Sequence, residues 1–190
     1  MKFLRLKTTD PYLNLAVEEY LFRHAEEDIF MLWQNAPCVV IGKNQNAYAE
    51  INMDVAHAKD IRIVRRITGG GAVYHDLGNL NFSFVADKNI YDVKRQMQVI
   101  QKALLNFNLE TEVSGRNDIT YQGRKFSGNA FAKTKNQGLH HGTILIKTDS
   151  ERLQKYLKVK PAKLHKHGVK SVSSRVINLS EVADITSENI

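Results

Sequence analysis

The sequence predicts an α/β fold of the α+β type, built around a mixed sheet. Strand-like and helix-like segments alternate along the whole chain, and their order lacks the strict β-α-β rhythm of a parallel sheet. No internal repeat or low-complexity tract interrupts them. With 190 residues, 43% of them hydrophobic and 25% charged, the chain has the composition of a folded domain with its own core.

Helical signals occur at five places. Asp10 is a good N-cap and Pro11 fits the first helical position, so a helix is expected to begin at residue 11. Its predicted buried face consists of residues at helical spacing, namely Leu13, Ala16, Val17, Tyr20, Leu21 and His24. The other predicted helices cover residues 47–60, 93–106 and 151–157, and a capped helix is indicated from Ser180 onwards.

Runs rich in β-branched and aromatic residues fill the intervals and predict strands. These strands cover residues 28–34, 37–42, 61–67, 72–75, 79–86, 110–113, 119–121, 125–131 and 142–146. Within 79–86, Leu80, Phe82 and Phe84 alternate with Asn81, Ser83 and Val85. That alternation predicts a strand whose two faces have different surroundings.

The net charge of +7, from 27 basic and 20 acidic residues, is the main compositional excess. It is compatible with nucleic acid, an anionic membrane surface or acidic partners, and equally with a solvated lysine-rich surface. The densest basic run is Lys155–Lys170, where no aromatic residue follows Tyr156. Stacking of nucleic-acid bases on that run is therefore not expected.

The single cysteine, Cys38, excludes an internal disulfide framework and a zinc site built from several thiolates. Cys38 lies in an apolar run, which predicts a buried and inert thiol. No segment has the length and hydrophobicity of a signal peptide or a membrane span. We therefore expect a cytoplasmic protein without a membrane partner.

The most distinctive segment is Arg65–Asp76, in which Gly69, Gly70 and Gly71 stand between two predicted strands. Consecutive glycines allow positive φ angles and close approach of a ligand, and their N–H groups can cradle a phosphate. Arginines at the entrance of the loop can add contacts to phosphate or carboxylate. A plain glycine-rich turn is the alternative interpretation, since the spacings of the known dinucleotide and P-loop motifs are absent.

Two further segments contain candidate functional residues. Lys125 is flanked by Gly123 and Gly128, which leave space around an ammonium group suited to a carboxylate and a phosphate; an exposed hairpin lysine is the alternative. Asp118 could hold that lysine, ligate a metal or cap a turn. His140 and His141 are adjacent, so in a strand they point to opposite faces and cannot easily share one metal ion.

Taken together and in order, several segments resemble the lipoate–protein ligase A family, the biotin/lipoate-ligase catalytic-domain family. The resemblance extends from about Leu13 to Leu179. The segments that carry it are Asn14–Glu19, Val40–Asn46, Arg66–Asp76, Gly115–Asp118, Lys125–Ala130, His140–Thr143 and Ser171–Leu179. It implies the biotin/lipoate-ligase fold, related to the cores of class II aminoacyl-tRNA synthetases.

The resemblance also implies a two-step, ATP-dependent reaction with magnesium. Lipoate is activated to lipoyl-AMP, and the lipoyl group is then transferred to a lysine of an acceptor domain. Lys125 is the expected catalytic residue and contacts both substrates. The residues expected to bind ATP are Arg66, Gly71, Ala72, Val73, Tyr74, Asn117, Asp118 and Lys125; those expected to bind lipoate are Gly70, His75 and Lys125. Asp118 is the candidate magnesium ligand, and Val73 or Phe84 is expected to contribute to an apolar slot for the dithiolane tail.

Members of this family continue into a small C-terminal domain. We therefore expect residues 1–190 to form the catalytic domain, truncated at its C-terminal end, with the accessory domain absent or supplied by a separate chain. The expected acceptors are lipoyl domains of 2-oxoacid dehydrogenase complexes or the H protein of glycine cleavage, and no nucleic acid is expected. Ser173 stands where relatives often carry an arginine, which leaves Arg175 in that loop.

Two alternatives remain at this stage. One is an octanoyl or lipoyl transferase of the same fold, which uses a cysteine nucleophile and no ATP. Here Cys38 is far in sequence from His140–Gly142, beside which some such transferases place their cysteine. The other is a fragment that binds the lipoyl group or nucleotide without turnover.

Overall fold

The computed structural model describes residues 1–158 and 175–190. Its helices are α1 (Pro11–His24), α2 (Ala47–Glu50), α3 (Met53–Ala58), α4 (Val93–Leu105) and α5 (Ser150–Tyr156), with a 3₁₀ turn at Leu179–Glu181. Its strands are β1 (Lys2–Arg5), β2 (Ile29–Gln34), β3 (Cys38–Ile41), β4 (Arg62–Arg65), β5 (Val73–His75), β6 (Asn79–Asp87), β7 (Glu112–Ser114), β8 (Asp118–Tyr121), β9 (Arg124–Lys133) and β10 (Gln137–Leu145). Within these residues, no helix is long and apolar enough to cross a membrane.

The strands form a large and a small sheet, as the predicted mixed α/β class requires. The large sheet has seven strands in the order β1-β2-β6-β10-β9-β8-β7, and the small one has three in the order β4-β3-β5. In the large sheet only β1 and β2 are parallel, whereas β2, β6, β10, β9, β8 and β7 pair antiparallel with their neighbours. In the small sheet β3 is parallel to β4 and antiparallel to β5.

Strand β6 lies inside the large sheet, and its residues from Asn79 to Ala86 are all buried. The predicted alternation is confirmed. Leu80, Phe82 and Phe84 belong to the main core cluster beside α4, whereas Val85 packs in the cluster beneath α1. Both faces of the large sheet are therefore covered, one by the main core cluster beside α4 and the other by the cluster beneath α1.

Helix α1 begins as predicted, with the Asp10 carboxylate accepting hydrogen bonds from the backbone N–H groups of Tyr12 and Leu13. The predicted buried face is wrong in part. Leu13 is 52% exposed and Tyr20 is 65% exposed. The fully buried positions are instead Pro11, Asn14, Glu18 and Phe22. Two polar residues on the buried face of a helix require partners inside the protein, and these partners form part of the site described below.

The predicted helix over residues 47–60 is instead two short helices, α2 and α3. Ile51 interrupts it in an extended conformation, fully buried and bridged to Leu157. The helix expected from Ser180 is limited to the 3₁₀ turn Leu179–Glu181, and the N–H of Ser180 bonds to the carbonyl of Ile146. At Ile51 a long-range contact decides the backbone.

Gly78 lies where the chain turns into β6, and its carbonyl accepts hydrogen bonds from the N–H groups of Ile146 and Lys147. A Cβ at residue 78 would lie 2.1 Å from the carbonyl oxygen of Lys147. Because the obstacle is backbone, it cannot be relieved by a side-chain rotation.

We predict that Gly78→Ala lowers the free energy of unfolding by about 1–3 kcal/mol, as measured by urea denaturation. The matched control is Gly69→Ala, where a Cβ meets nothing within 4 Å and the expected change is below about 0.5 kcal/mol. Equal stability of the two variants would contradict the assigned role of Gly78.

Candidate active site

The ammonium of Lys125, in β9, forms an ion pair at 2.7 Å with Oδ1 of Asp118 in β8. The two side chains are 38% and 34% exposed, so a ligand can reach the pair. Gly128 makes room for it, since a Cβ at residue 128 would lie 2.9 Å from Nζ of Lys125. The expected proximity of Lys125, Asp118 and Gly128 is therefore observed.

The backbone of Lys125 is held on both sides by the C-terminal segment of the chain. Its N–H donates to the carbonyl of Arg175 at 2.8 Å, and its carbonyl accepts from the N–H of Ile177 at 3.0 Å. Ile177 and Leu179 anchor this segment in the main core. A register irregularity between β8 and β9 lies directly opposite Lys125, which is typical of a strand that orients a functional side chain.

Thr143 connects this region to the centre of the large sheet. Its hydroxyl accepts a hydrogen bond from the N–H of Gly128 at 3.2 Å. Thr143 and His141 are two residues apart in β10 and therefore lie on the same face. Lys125 of β9 and the buried polar groups around His141 of β10 therefore lie on one face of the large sheet.

The glycine-rich segment Thr68–Gly71, hereafter the glycine loop, follows β4. Its three glycines are exposed, and Gly70 has a φ of +99°, which explains the need for glycine there. A Cβ at Gly42 would lie 2.3 Å from the carbonyl oxygen of Gly70, so the end of β3 packs directly against the loop. The backbone of the glycine loop is thus packed against Gly42 on one side and exposed to solvent on the other.

Arg66 points into the protein. Its guanidinium donates to the carbonyls of Gly69 and Gly71 at 2.8 Å each, and to the carbonyl of Val40 at 3.3 Å. Only 8% of the residue is exposed, and burial lowers the pKa of the guanidinium while the charge of Glu18 raises it. In this structure Arg66 sets the shape of the glycine loop, and its expected contact with nucleotide remains a prediction.

A buried polar network joins the loop to α1. Both carboxylate oxygens of Glu18 lie 2.9 Å from Nδ1 of His141, and Nε2 of the same ring lies 2.8 Å from Oγ1 of Thr68. The Thr68 hydroxyl in turn accepts from Nε of Arg66 at 3.1 Å. We refer to Glu18, His141, Thr68 and Arg66 as the Glu18–Arg66 network.

Two residues of the large sheet complete the surroundings of Glu18. The hydroxyl of Ser83 in β6 donates to the carboxylate, and the indole N–H of Trp33 in β2 donates to Ser83 at 3.0 Å. With Glu18 only 1% exposed, such donors compensate for the loss of water around the carboxylate. The charges at the two ends of the network, Glu18 and Arg66, are opposite.

His75, expected to lie near lipoate, is buried at the end of β5 beside the edge of the Trp33 ring. Its pKa is lowered to about 3 by burial, and further by the charges of Arg66 and His141. The ring is therefore neutral at physiological pH. Nδ1 lies 3.2 Å from Nδ2 of Asn35.

His140 faces the opposite side of the sheet from His141, as predicted for adjacent strand residues. Its ring nitrogens lie 3.0 Å from Oε1 of Gln96 in α4 and 2.8 Å from Oδ1 of Asn129. Asn117 and Asn129 hydrogen-bond each other in both directions through backbone and side-chain groups. Through Asn129, His140 is thus connected to Asn117, the residue before Asp118.

The remaining predicted site residues differ in exposure and in the face of the sheet on which they lie. Ala72 and Val73 are partly exposed beside the loop, whereas the Tyr74 side chain is buried against Tyr156. Phe84 is on the wrong face for a tail slot next to His141, since it stacks on Phe30 and His140 in the main core. Ser173 and most of the basic run Lys155–Lys170 lie outside the described residues, so the expectations for them stay predictions.

No group of three or more His, Cys, Asp or Glu side chains suited to a metal ion occurs in residues 1–158 and 175–190. Asp118, the candidate magnesium ligand, is paired with Lys125. Magnesium usually keeps several waters and is bound through one or two carboxylates together with substrate phosphates. The residues present fit a magnesium ion bound mainly through the phosphates of a nucleotide better than one bound by protein ligands alone.

The model of the family described as the lipoyl protein ligase A/B catalytic domain matches residues 10–190. The chain belongs to this family. A curated relative, lipoate–protein ligase 1 of Staphylococcus aureus, is 45% identical over 187 residues, which cover 95% of this chain and 57% of that protein. The chain therefore spans little more than half the length of such ligases.

Solved structures of family members share the fold. Plasmodium falciparum LipL1 in complex with lipoate has a TM-score of 0.86 and 38% identity, covering 98% of this chain and 58% of that one. A bi-partite ligase of Thermoplasma acidophilum, solved in a study of that ligase and its E2 lipoyl domain, has a TM-score of 0.85 and 31% identity over 99% and 78%. A lipoate–protein ligase A bound with ATP has a TM-score of 0.83 and 29% identity over 99% and 79%. The predicted family and fold are confirmed.

Sequence reasoning missed Glu18, Trp33, Ser83, Asn14 and Asn35 as parts of the site. Asn14 is buried, and its Nδ2 donates to the carbonyl of Gln34 at 2.8 Å and to Oδ1 of Asn35, the neighbour of His75, at 2.9 Å. A signal was present for two of them. Asn14 and Glu18 lie four residues apart on α1, in line with Phe22, so they occupy one stripe of the helix. Treating the polar residues of that stripe as exposed led to the wrong buried face.

The neutral buried histidines predict a specific dependence of stability on pH. Burial lowers the pKa of His140, like that of His75, to about 3, and for His140 the charge of His141 adds to the effect. In the unfolded chain a histidine titrates near pH 6.5, so below that pH the unfolded state binds more protons than the folded state. Stability is then complete above about pH 6.5 and is lost as the pH falls towards 3.

We predict that each of these histidines costs about 2 kcal/mol of unfolding free energy between pH 6.5 and pH 5. Urea denaturation at a series of pH values measures the loss, and His140→Gln should make it smaller. His57→Gln, at an exposed position in α3, should leave the profile unchanged. A wild-type stability that is constant from pH 6.5 to pH 5 would contradict the assignment.

Proposed function

We propose that the protein activates lipoate with ATP to form lipoyl-AMP and pyrophosphate, and then transfers the lipoyl group to a lysine of an acceptor domain. The observation that supports this most directly is the accessible Lys125–Asp118 pair, on the same sheet face as His141 and the glycine loop that it holds. Family membership adds support, since lipoate-bound and ATP-bound relatives share this fold.

In the first step, an oxygen of the lipoate carboxylate attacks the α-phosphorus of ATP, and the bond to the bridging oxygen breaks as pyrophosphate leaves. In the second step, the acceptor amine attacks the acyl carbon of the mixed anhydride, loses a proton, and AMP leaves. The first step brings the oxygens of the lipoate carboxylate and the α-phosphate together, and the second increases the negative charge on the acyl oxygen. A fixed cation between the acyl group and the α-phosphate lowers both barriers.

Lys125 is the proposed source of that cation. Asp118 holds the ammonium at 2.7 Å, and Gly128 leaves space beside it. Its backbone is fixed by Arg175 and Ile177, so the side chain extends from a rigid strand. Asn117, which hydrogen-bonds to Asn129, precedes Asp118 and is proposed to contact the nucleotide.

The glycine loop is the proposed phosphate site. Its exposed glycines leave open space, and Arg66 bonds to loop carbonyls, which fixes the loop backbone. Preorganised N–H donors bind phosphate oxygens without further ordering cost. We assign the backbone of Gly71–Tyr74 to the nucleotide, and Gly70 and His75 to the lipoyl group. Magnesium would be bound by the phosphates, and Asp118 is the carboxylate proposed to ligate it.

The cysteine-dependent transferase is the weaker candidate. The only cysteine of the chain, Cys38, is fully buried in the small sheet, and burial raises its pKa to about 12. A thiol that stays protonated and out of reach of solvent is a poor nucleophile. This observation favours the ATP-dependent route.

The proposed partners are lipoyl-acceptor domains of 2-oxoacid dehydrogenase complexes or the glycine cleavage H protein, in the cytoplasm. The bi-partite relative supports a division of the ligase between chains, so a separate accessory chain is a further proposed partner. The excess positive charge of +7 would attract acidic acceptor domains.

We predict that Lys125→Ala lowers lipoate-dependent ATP–pyrophosphate exchange by about 10²–10³-fold, the usual cost of removing a group that stabilises transition-state charge. Lys133→Ala is the matched control, because Lys133 ends the same strand, is exposed and stands over the Tyr91 ring. That variant should retain exchange. Undiminished exchange in Lys125→Ala would refute the role of the lysine.

A second substitution separates the two routes. We predict that Cys38→Ala retains ATP-dependent lipoylation of an acceptor domain, since the thiol takes no part in it. Mass spectrometry of the acceptor domain measures the modification. Transfer from octanoyl carrier protein without ATP, abolished by Cys38→Ala, would establish the transferase instead.

A further inference from the structure

Gly128 of β9 lies between two polar side chains of the neighbouring strands. Asp118 of β8 is its partner in the β8–β9 ladder. On the other side, the last pair of the β9–β10 ladder is Asn129 with Gly142. The next residue of β10, Thr143, lies beside Gly128, whose N–H donates to its hydroxyl at 3.2 Å. Opposed strand residues carry their side chains on the same face, so Asp118 and Thr143 border Gly128 from two sides.

The space next to Gly128 on this face is open because the residue has no side chain. A Cβ at residue 128 would lie 2.9 Å from Nζ of Lys125 and 4.0 Å from Oγ1 of Thr143. The ammonium of Lys125 and the hydroxyl of Thr143 therefore border the same space. Thr143 is only partly buried and the Lys125 side chain is 38% exposed, so a ligand can reach both groups from solvent.

Both groups have donor hydrogens without an acceptor. A threonine hydroxyl has one O–H donor and two acceptor lone pairs, and the N–H of Gly128 uses one lone pair of Thr143. Within residues 1–158 and 175–190, the O–H of Thr143 donates to no acceptor. The Lys125 ammonium has three N–H groups, and in the same two ranges Asp118 is its one side-chain acceptor. Donors from two side chains thus converge on one accessible space.

Converging donors of this kind suit an oxygen that carries negative charge. Hydrogen bonds to ionised acceptors are shorter and roughly twice as strong as bonds between neutral groups. A carboxylate or phosphate oxygen has several lone pairs, so an oxygen beside Nζ of Lys125 can also accept from the hydroxyl of Thr143. The bond from Gly128 fixes the hydroxyl oxygen in advance, so that the contact needs little reorganisation.

We propose that Thr143 is a further substrate-binding residue, whose hydroxyl donates to an oxygen of the carboxylate or the α-phosphate that Lys125 binds. The inference rests on the proposed function and extends it to a side chain on the β10 side of Lys125. The hydroxyl keeps its proton throughout. Asp118 on one side and Thr143 on the other then confine the ammonium and the bound oxygen between them.

The contact is tested by calorimetric titration of lipoate and of ATP into the wild-type protein, Thr143→Val and Thr143→Ser. Valine has the shape of threonine without the O–H group, whereas serine keeps that group. We expect the affinity for one of the two ligands to fall about 10–100-fold in Thr143→Val and to stay within about threefold of wild type in Thr143→Ser. A loss with lipoate places the contact on the carboxylate, and a loss with ATP places it on the phosphate. Unchanged affinity for both ligands in Thr143→Val would overturn the proposal.

Spectra of the bound ligands separate a direct contact from an effect on the backbone of Gly128. The infrared carboxylate bands of lipoate labelled with ¹³C at the carboxyl carbon respond to the hydrogen bonds that its oxygens accept, as does the ³¹P resonance of the α-phosphate of ATP. At saturating ligand, we expect one of these signals to move in Thr143→Val and to keep its wild-type position in Thr143→Ser. If the affinity falls while both signals stay unchanged, Thr143 acts only through Gly128 and the proposal is wrong.

Thr9→Val is the matched control, because Thr9 is exposed and its hydroxyl forms no hydrogen bond with the part of the chain that the structure describes. This variant should bind both ligands as the wild-type protein does. Wild-type protein that binds neither lipoate nor ATP would refute the proposed function, and the Thr143 contact with it. Normal wild-type binding that Thr143→Val leaves unchanged would refute the contact alone.

Discussion

The arrangement of this site depends on one constraint: the carboxylate of Glu18 is buried on α1 and must be compensated. An unpaired charge at such a position is far too costly to retain in a protein of ordinary stability. Ser83 and His141 supply the hydrogen bonds, and His141 connects through Thr68 to the guanidinium of Arg66. Removing any member leaves its neighbours with buried polar groups that have lost a partner.

This constraint links elements that are far apart in the sequence. Glu18 comes from α1, His141 from β10, and Arg66 from the end of β4. Because Arg66 bonds to the carbonyls of Gly69 and Gly71, the shape of the glycine loop depends on the position of α1 against the sheet. Displacing α1 from the sheet is therefore expected to disturb the glycine loop.

The two faces of β10 have different surroundings: one lies next to the main core, and the other contacts the buried polar network. His140 points to the α4 side, where it bonds to Gln96 and Asn129 next to the main core. His141 points to the α1 side, where the polar network lies. Two adjacent residues of the same type thus have different partners because successive strand side chains point to opposite faces.

Much of this could be predicted from local sequence signals. The cap at Asp10, the alternation in β6 and the adjacency of Lys125, Asp118 and Gly128 all follow from short-range patterns or the family resemblance. The short strand β1 was missed, since four residues with two basic side chains give little periodicity and pair only with β2.

Other features depend on contacts that no local pattern contains. Ile51 breaks a helical pattern because it pairs with Leu157, more than a hundred residues later. Arg66 was expected to face a nucleotide, yet its donors are directed at loop carbonyls. The buried face of α1 was misjudged because Asn14 and Glu18 have partners on β2, the following loop and β10, which only the folded chain brings together.

We propose that one face of the large sheet holds the acyl-adenylate, with Lys125 at its carboxyl end and the Glu18–Arg66 network further along that face. A crystal structure of the protein with lipoyl-AMP would locate the ligand. Acyl and phosphate oxygens are expected within hydrogen-bond distance of Nζ of Lys125, and the acyl chain is expected to run towards His141. An adenylate bound elsewhere, with Lys125 paired to Asp118 alone, would refute this placement.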